Sequence, residues 1–181
     1  VLVLDDFEGA IVAGPSGTID AGSGNGSSVE VSADKVNKMS GEQSLKITYD
    51  AVAGGTIWVA RGYELDVKGA AQWINEPGKI AWSHYGAISF FFSGTASGGK
   101  IAFDVKDAQN EIFRFMVTDD SKEWQPVICP FDQFFARGDG QPANATVNAT
   151  LDFPIKSFRW EPIAIAKGTI NVDEVVLEPL N

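Results

Sequence analysis

Lys100-Ile101-Ala102-Phe103-Asp104-Val105-Lys106 sets Ile101, Phe103 and Val105 on one side of the chain and Lys100, Ala102, Asp104 and Lys106 on the other. A side-chain period of two is the mark of a strand with one face in a core and one in water. Two further segments repeat the pattern: Phe113, Phe115 and Val117 oppose Ile112, Arg114 and Met116, and Phe158 and Trp160 oppose Ser157, Arg159 and Glu161. The wet rows are where function can sit. Working outward, the period and the punctuating Gly, Ser, Thr and Asn predict ten strands, over 1–8, 28–33, 43–50, 56–61, 86–92, 100–106, 111–118, 123–129, 155–162 and 168–178. Segment 87–92 is apolar almost throughout, as expected of a strand covered on both faces. Helical signal is confined to short pieces at 68–75 and 131–136, and 14–28 and 138–150 are polar connections. Ten strands and no internal repeat predict an all-β fold, an antiparallel two-sheet sandwich formed by one domain spanning 1–181.

Composition narrows the partners. The chain has 181 residues, 44% of them hydrophobic and 21% charged, which suits one globular domain with a sizeable core. A formal charge of −10 repels polyanions, so neither nucleic acid nor an anionic membrane surface is expected as a partner. No apolar stretch approaches the roughly 20 residues of a membrane-spanning helix. The first residues read as a strand, with no basic-then-apolar leader, so any export signal is expected to be absent from this sequence.

Cys129 is the single cysteine, which excludes an internal disulfide and a thiolate metal cluster, and its apolar setting predicts a buried, inert thiol. The single histidine, His84, lies in Trp82-Ser83-His84-Tyr85, and no Gly-x-Ser-x-Gly elbow supplies a nucleophile. The triplets at Asn25, Asn144 and Asn148 fit the Asn-x-Ser/Thr glycan acceptor pattern.

Four blocks in order carry a resemblance: Leu4-Asp5-Asp6-Phe7-Glu8-Gly9; Trp82-Ser83-x-Tyr85-Gly86-x-Ile88-Ser89-Phe90; Trp124 followed by Pro130-Phe131-Asp132-Gln133-Phe134; and Ile170-Asn171-Val172-Asp173-Glu174-Val175-Val176-Leu177. Together they resemble carbohydrate-binding module family 11. That resemblance implies a jelly-roll sandwich whose concave face holds a β-glucan-type polysaccharide, with structural calcium at its edge. It also implies a non-catalytic, secreted module, tethered to a glycoside hydrolase and raising its local substrate concentration; a monomer is expected.

Sugar rings present C–H faces and a rim of hydroxyls, so a cleft needs aromatic platforms and polar side chains that bond in pairs. Of the five tryptophans, Trp160, Trp124 and Trp82 fall in core phase or at packing positions of the family. Trp58 stands where the family carries a platform. Trp73 lies in 66–80, a segment longer than the family's, and is either a small satellite core or an added platform. Tyr85 and Tyr63 are further candidates. Arg137 and Asp139 match glucan-contacting positions, whereas Gly140 and Pro162 stand where the family has Tyr, and Arg159 where it has His. Glu161 joins the set by strand phase. The two lost platforms leave open which chain is preferred among mixed-linkage β-glucan, cellulose-like chains, xyloglucan and mannan.

Calcium binds about six to eight oxygens. Asp6 and Glu8 share a face, and Asp173 lies beside them if the first and last strands pair; carbonyls near Met39, Ser40 or Gly41 complete the shell in the manner the resemblance implies. Two other classes are weighed against the module. A small glycosidase would use a pair among Asp104, Glu111, Asp139 and Glu161. A protein-interaction or adhesin domain would expose an apolar patch instead.

Overall fold

The structure is a computed structural model describing residues 1–163 and 165–181. Among the described residues are twelve strands: β1 (Leu2–Asp5), β2 (Asp20–Gly24), β3 (Ser28–Asp34), β4 (Ser44–Ala51), β5 (Thr56–Gly62), β6 (Tyr85–Ser93), β7 (Lys100–Lys106), β8 (Ile112–Thr118), β9 (Gln125–Pro130), β10 (Phe135–Ala136), β11 (Ser157–Pro162) and β12 (Ala166–Pro179). All ten expected strands form. The two additions, β2 and β10, lie in segments read as a Gly/Ser-rich connection and a helical turn. Only single 3-10 turns appear at Lys68–Ala70 and Phe131–Gln133. No helix among the described residues is long and apolar enough to cross a membrane.

Every ladder is antiparallel, and the strands form two sheets of six. One runs β3-β4-β12-β6-β9, with β1 also paired to β12; the other runs β10-β8-β7-β11-β5-β2. The alternation of β7, β8 and β11 is what joins them. Phe103, Phe113, Phe158 and Trp160 turn inward and are buried, and Phe103, Phe158 and Trp160 meet Phe7 or Phe90 of the facing layer in edge and tilted contacts. Each such side chain contributes about 1.5–3 kcal/mol through burial. Cys129 is fully buried, and burial pushes its thiol pKa up, as expected of an inert cysteine.

One charged contact crosses this core. Arg61 of β5 points inward and grips Asp5 of β1 at both ends, Nε to Oδ2 at 2.9 Å and Nη2 to Oδ1 at 3.0 Å. Its Nη1 donates to the carbonyl of Thr18, and its guanidinium lies 5.5 Å from the Phe7 ring centroid. Asp5 Oδ1 also accepts the N–H of Phe7, whose φ of 57° ends the strand. The pair therefore ties β5 of one sheet to β1 of the other. We expect Asp5→Ala, which leaves the arginine charge buried and unpaired, to lower the unfolding free energy by about 3–5 kcal/mol. Urea denaturation measures this, and a loss under about 1 kcal/mol would mean the pair is dispensable.

Candidate functional site

The outward face of the β10-β8-β7-β11-β5-β2 sheet collects the wet rows. In register, Asp20 lies opposite Ala60, Ala60 opposite Arg159, Arg159 opposite Asp104, Asp104 opposite Arg114 and Arg114 opposite Phe135. Directly opposed residues of antiparallel strands share a face, so these six form one row across the sheet. An adjacent row holds Gly22 opposite Trp58, and Glu161 opposite Ala102, itself opposite Met116.

At the centre of the face Asp104 is almost fully buried and accepts from three arginines. Arg114 approaches with Nε at 2.8 Å and Nη2 at 3.0 Å, Arg159 with Nη2 at 3.1 Å and Arg137 with Nη1 at 3.4 Å. Glu161 Oε2 accepts from Arg114 at 3.0 Å and lies within 3.5 Å of the other two. Burial opposes the charge of Arg114, yet Asp104 and Glu161 outweigh it and its pKa is raised. Arg137 Nε and Arg159 Nε are buried without partners among the described residues, so the lattice has donors left over. Asp139 is 86% exposed and, among the described residues, reaches only Arg137, at 3.5 Å.

Beside this lattice Trp58 packs closely against β2. A Cβ at Gly22 would come within 2.5 Å of Trp58 Cζ2, so the absence of a side chain there is what lets the indole settle. Its Nε1 donates to Asp20 Oδ1 at 3.1 Å. Trp58, Asp20, Arg159, Asp104 and Lys106 line a depression of about 280 Å³, together with Glu64–Asp66. Burial, then the neighbouring Lys156 and Arg159 charges, lowers the pKa of Lys106. One half-exposed aromatic platform and a dense set of forked donors and acceptors thus share one surface.

The structure brings together Trp58, Arg137, Arg159 and Glu161, with Asp139 at the rim. Two expectations are corrected. Trp73 is 5% exposed and stacks on Phe158 at 5.5 Å and 10°, with Tyr63 edge-on at 5.8 Å. The long 66–80 segment folds this indole under the sandwich as core. Tyr85 opens β6 in the opposite sheet and packs partly buried on the core, so it cannot share a ligand with Trp58. Asp20, Gly22 and Lys106 were missed as site residues. Lys106 and Arg114 carried the outward phase, but nothing in the Gly/Ser-rich segment marked β2.

The metal expectation meets a turn of the chain at Phe7. β1 does pair with β12, but the described residues hold no group of three His, Cys, Asp or Glu placed to share an ion. Asp6 Oδ1 instead accepts the N–H of Glu8 at 3.1 Å, because the chain turns at Phe7. Two of the three carboxylates do meet one turn. Asp173 Oδ2 accepts the N–H groups of Met39 and Ser40, both at 3.0 Å, and Glu8 Oε1 accepts that of Glu42. Gly41 sits on Glu8 so closely that a Cβ would collide with its carboxylate. Glu8 Oε2 is buried without a partner, and burial pushes the Asp173 carboxyl up to about 6.

The catalytic reading fails on geometry. Asp104 and Glu161 are locked to arginines, and Glu111 is fully buried, accepting the N–H groups of Asn148 and Ala149.

The family model described as "Carbohydrate binding domain (family 11)" matches residues 1–178. No curated protein matches the chain. Among solved structures, a family 11 carbohydrate-binding module from Clostridium thermocellum, in complex with a β-1,3-1,4-mixed-linked tetrasaccharide, is 23% identical at a TM-score of 0.76, covering 98% of this chain and 95% of that one. The family 11 module of a cellulosomal cellulase of Clostridium thermocellum is 22% identical at 0.73, covering 98% and 94%. A β-1,2-glucanase from Parabacteroides distasonis is 16% identical at 0.58, covering 91% of this chain but 23% of its own.

Core and surface tryptophans should separate by stability. Trp73→Ala is expected to cost about 3–5 kcal/mol and Trp58→Ala about 1 kcal/mol or less, read from urea midpoints. Equal losses would contradict the placement of Trp73 in the core and Trp58 on the surface.

Proposed function

The chain belongs to family 11 of the carbohydrate-binding domains, and on that premise we propose that this non-catalytic module holds a β-glucan chain across the outward face of β10-β8-β7-β11-β5-β2. The observation that carries the reading is Trp58, laid on Gly22 and pinned by Asp20 beside the Arg114, Arg137, Arg159, Asp104 and Glu161 lattice. The indole offers an apolar face to a sugar ring, and the lattice offers donors and acceptors to ring hydroxyls. Because the arginines are already held by carboxylates, they meet the ligand with little side-chain entropy left to lose. The bound tetrasaccharide of the Clostridium thermocellum module points to mixed-linkage β-glucan as the first ligand to try.

The module acts as a monomer, outside the cell, on a chain that also carries a glycoside hydrolase. The cellulosomal cellulase and the β-1,2-glucanase, each holding a domain of this fold within a larger enzyme, support the tethered arrangement. Tethering raises local substrate concentration without new contacts. In affinity electrophoresis, mixed-linkage β-glucan is expected to retard the wild type more than xylan or galactomannan. Trp58→Ala should lose about ten- to a hundredfold in affinity, the equivalent of about 1.5–3 kcal/mol of buried apolar surface. A folded wild type that no β-glucan retards would sink the glucan reading and favour a protein-interaction role.

We also propose that structural calcium sits at Glu8 and Asp173, completed by carbonyl oxygens of the 39–42 turn. The partnerless Glu8 Oε2 and the raised pKa of Asp173 support it, because a cation relieves both and calcium prefers such oxygens. Asp6 lies outside the set. Calcium is expected to raise the melting temperature by several degrees over the chelated protein, and Glu8→Gln should abolish the gain; identical melting with and without the ion would refute the site.

A further inference from the structure

Pro130-Phe131-Asp132-Gln133-Phe134-Phe135 ends in two adjacent aromatics with opposite fates. Phe134 turns inward and meets Phe103 and Phe115, at 6.3 and 5.8 Å. Phe135 opens the two-residue strand β10, is 51% exposed, and stands opposite Arg114, so its ring shares the face of the arginine lattice. Met116, two residues along β8 from Arg114 and on the same face, is 39% exposed. An apolar pair thus stands at the edge of the sheet farthest from Trp58, with the charged lattice between.

We propose that Phe135, backed by Met116, is a second stacking platform of the groove, and that the bound chain must be long enough to touch Trp58 and Phe135 together. The inference rests on the reading of this face as a polysaccharide site. Four strand-to-strand steps separate β5 from β10, from β5 through β11, β7 and β8, which is roughly 19 Å along the sheet. A sugar ring covers about one strand step, so a disaccharide on Trp58 stops over the lattice and only a chain of about four or more rings reaches Phe135. The groove is therefore a length reader: apolar at each end and hydrogen-bonding in the middle.

The test is calorimetric titration of wild type, Phe135→Ala, Phe135→Tyr and Trp58→Ala with the β-1,4-linked glucose disaccharide and with a β-1,3-1,4-mixed-linked hexasaccharide. Wild type should bind the hexasaccharide at least tenfold tighter than the disaccharide. Phe135→Ala should lose most of that difference while leaving disaccharide affinity unchanged, and Phe135→Tyr should restore it. Trp58→Ala should weaken both ligands. Phe135→Ala with wild-type melting temperature and undiminished hexasaccharide affinity overturns the second platform and leaves the groove standing. A wild type that binds neither ligand overturns the groove itself.

Discussion

The buried pair of Arg61 and Asp5 is the contact on which the arrangement depends, because it is charged, dry and shared between the sheets. A sandwich held by apolar burial alone can slide, since burial is non-directional. A guanidinium forked onto a carboxylate has one geometry. It fixes where β5 crosses β1, and β5 carries Trp58 on its other face, three residues before Arg61. The platform is thus placed from inside the core, while Gly22 and Asp20 set its tilt from outside.

The second constraint lies on the surface and opposes chemistry. Three arginines around Asp104 and Glu161 give the face a set of fixed directions in a chain whose overall charge is negative. A glycosidase needs one carboxyl free to give a proton and another free to attack or to activate water. Here Asp104 and Glu161 are spent on arginines, and the arginines are thereby oriented. Glu111 is spent on backbone N–H groups, which leaves Asp139 at the rim without a second carboxyl to work with. The same residue types that made hydrolysis a reading to weigh are what make the surface a rigid receptor.

Most of the fold was legible because alternation in β7, β8 and β11 is strict, and those strands carry the centre of both core and site. Arg159, Glu161 and Arg137 were found by phase and by resemblance, and the structure gathers them. What escaped had no phase to read. β2 is written Asp20-Ala21-Gly22-Ser23-Gly24, with no alternation of hydrophobicity, so the seat of Trp58 was invisible. Trp73 was ambiguous because a polar segment gives no indication of whether it folds under or stands out. Phe134 and Phe135 are adjacent in a run that reads as a turn, and only the pairing of β10 with β8 separates an inward ring from an outward one. Asp6 and Glu8 part at Phe7, where a left-handed residue ends the alternation that sets them side by side in the sequence.

The fourteen-residue strand β12 has a temporal consequence. It lies between β4 and β6 and also pairs with β1, so its sheet has no centre until residues 166–179 are available. During synthesis β1, β3, β4, β6 and β9 all emerge before the partner that joins them, and their unpaired edges must stay apart over that interval. Such non-local pairing makes for slow, late closure rather than piecewise folding. The outward positions of β3 and β4, Glu30, Ser32, Lys46 and Thr48, are polar or charged, the kind of side chain that blunts an edge left waiting in water.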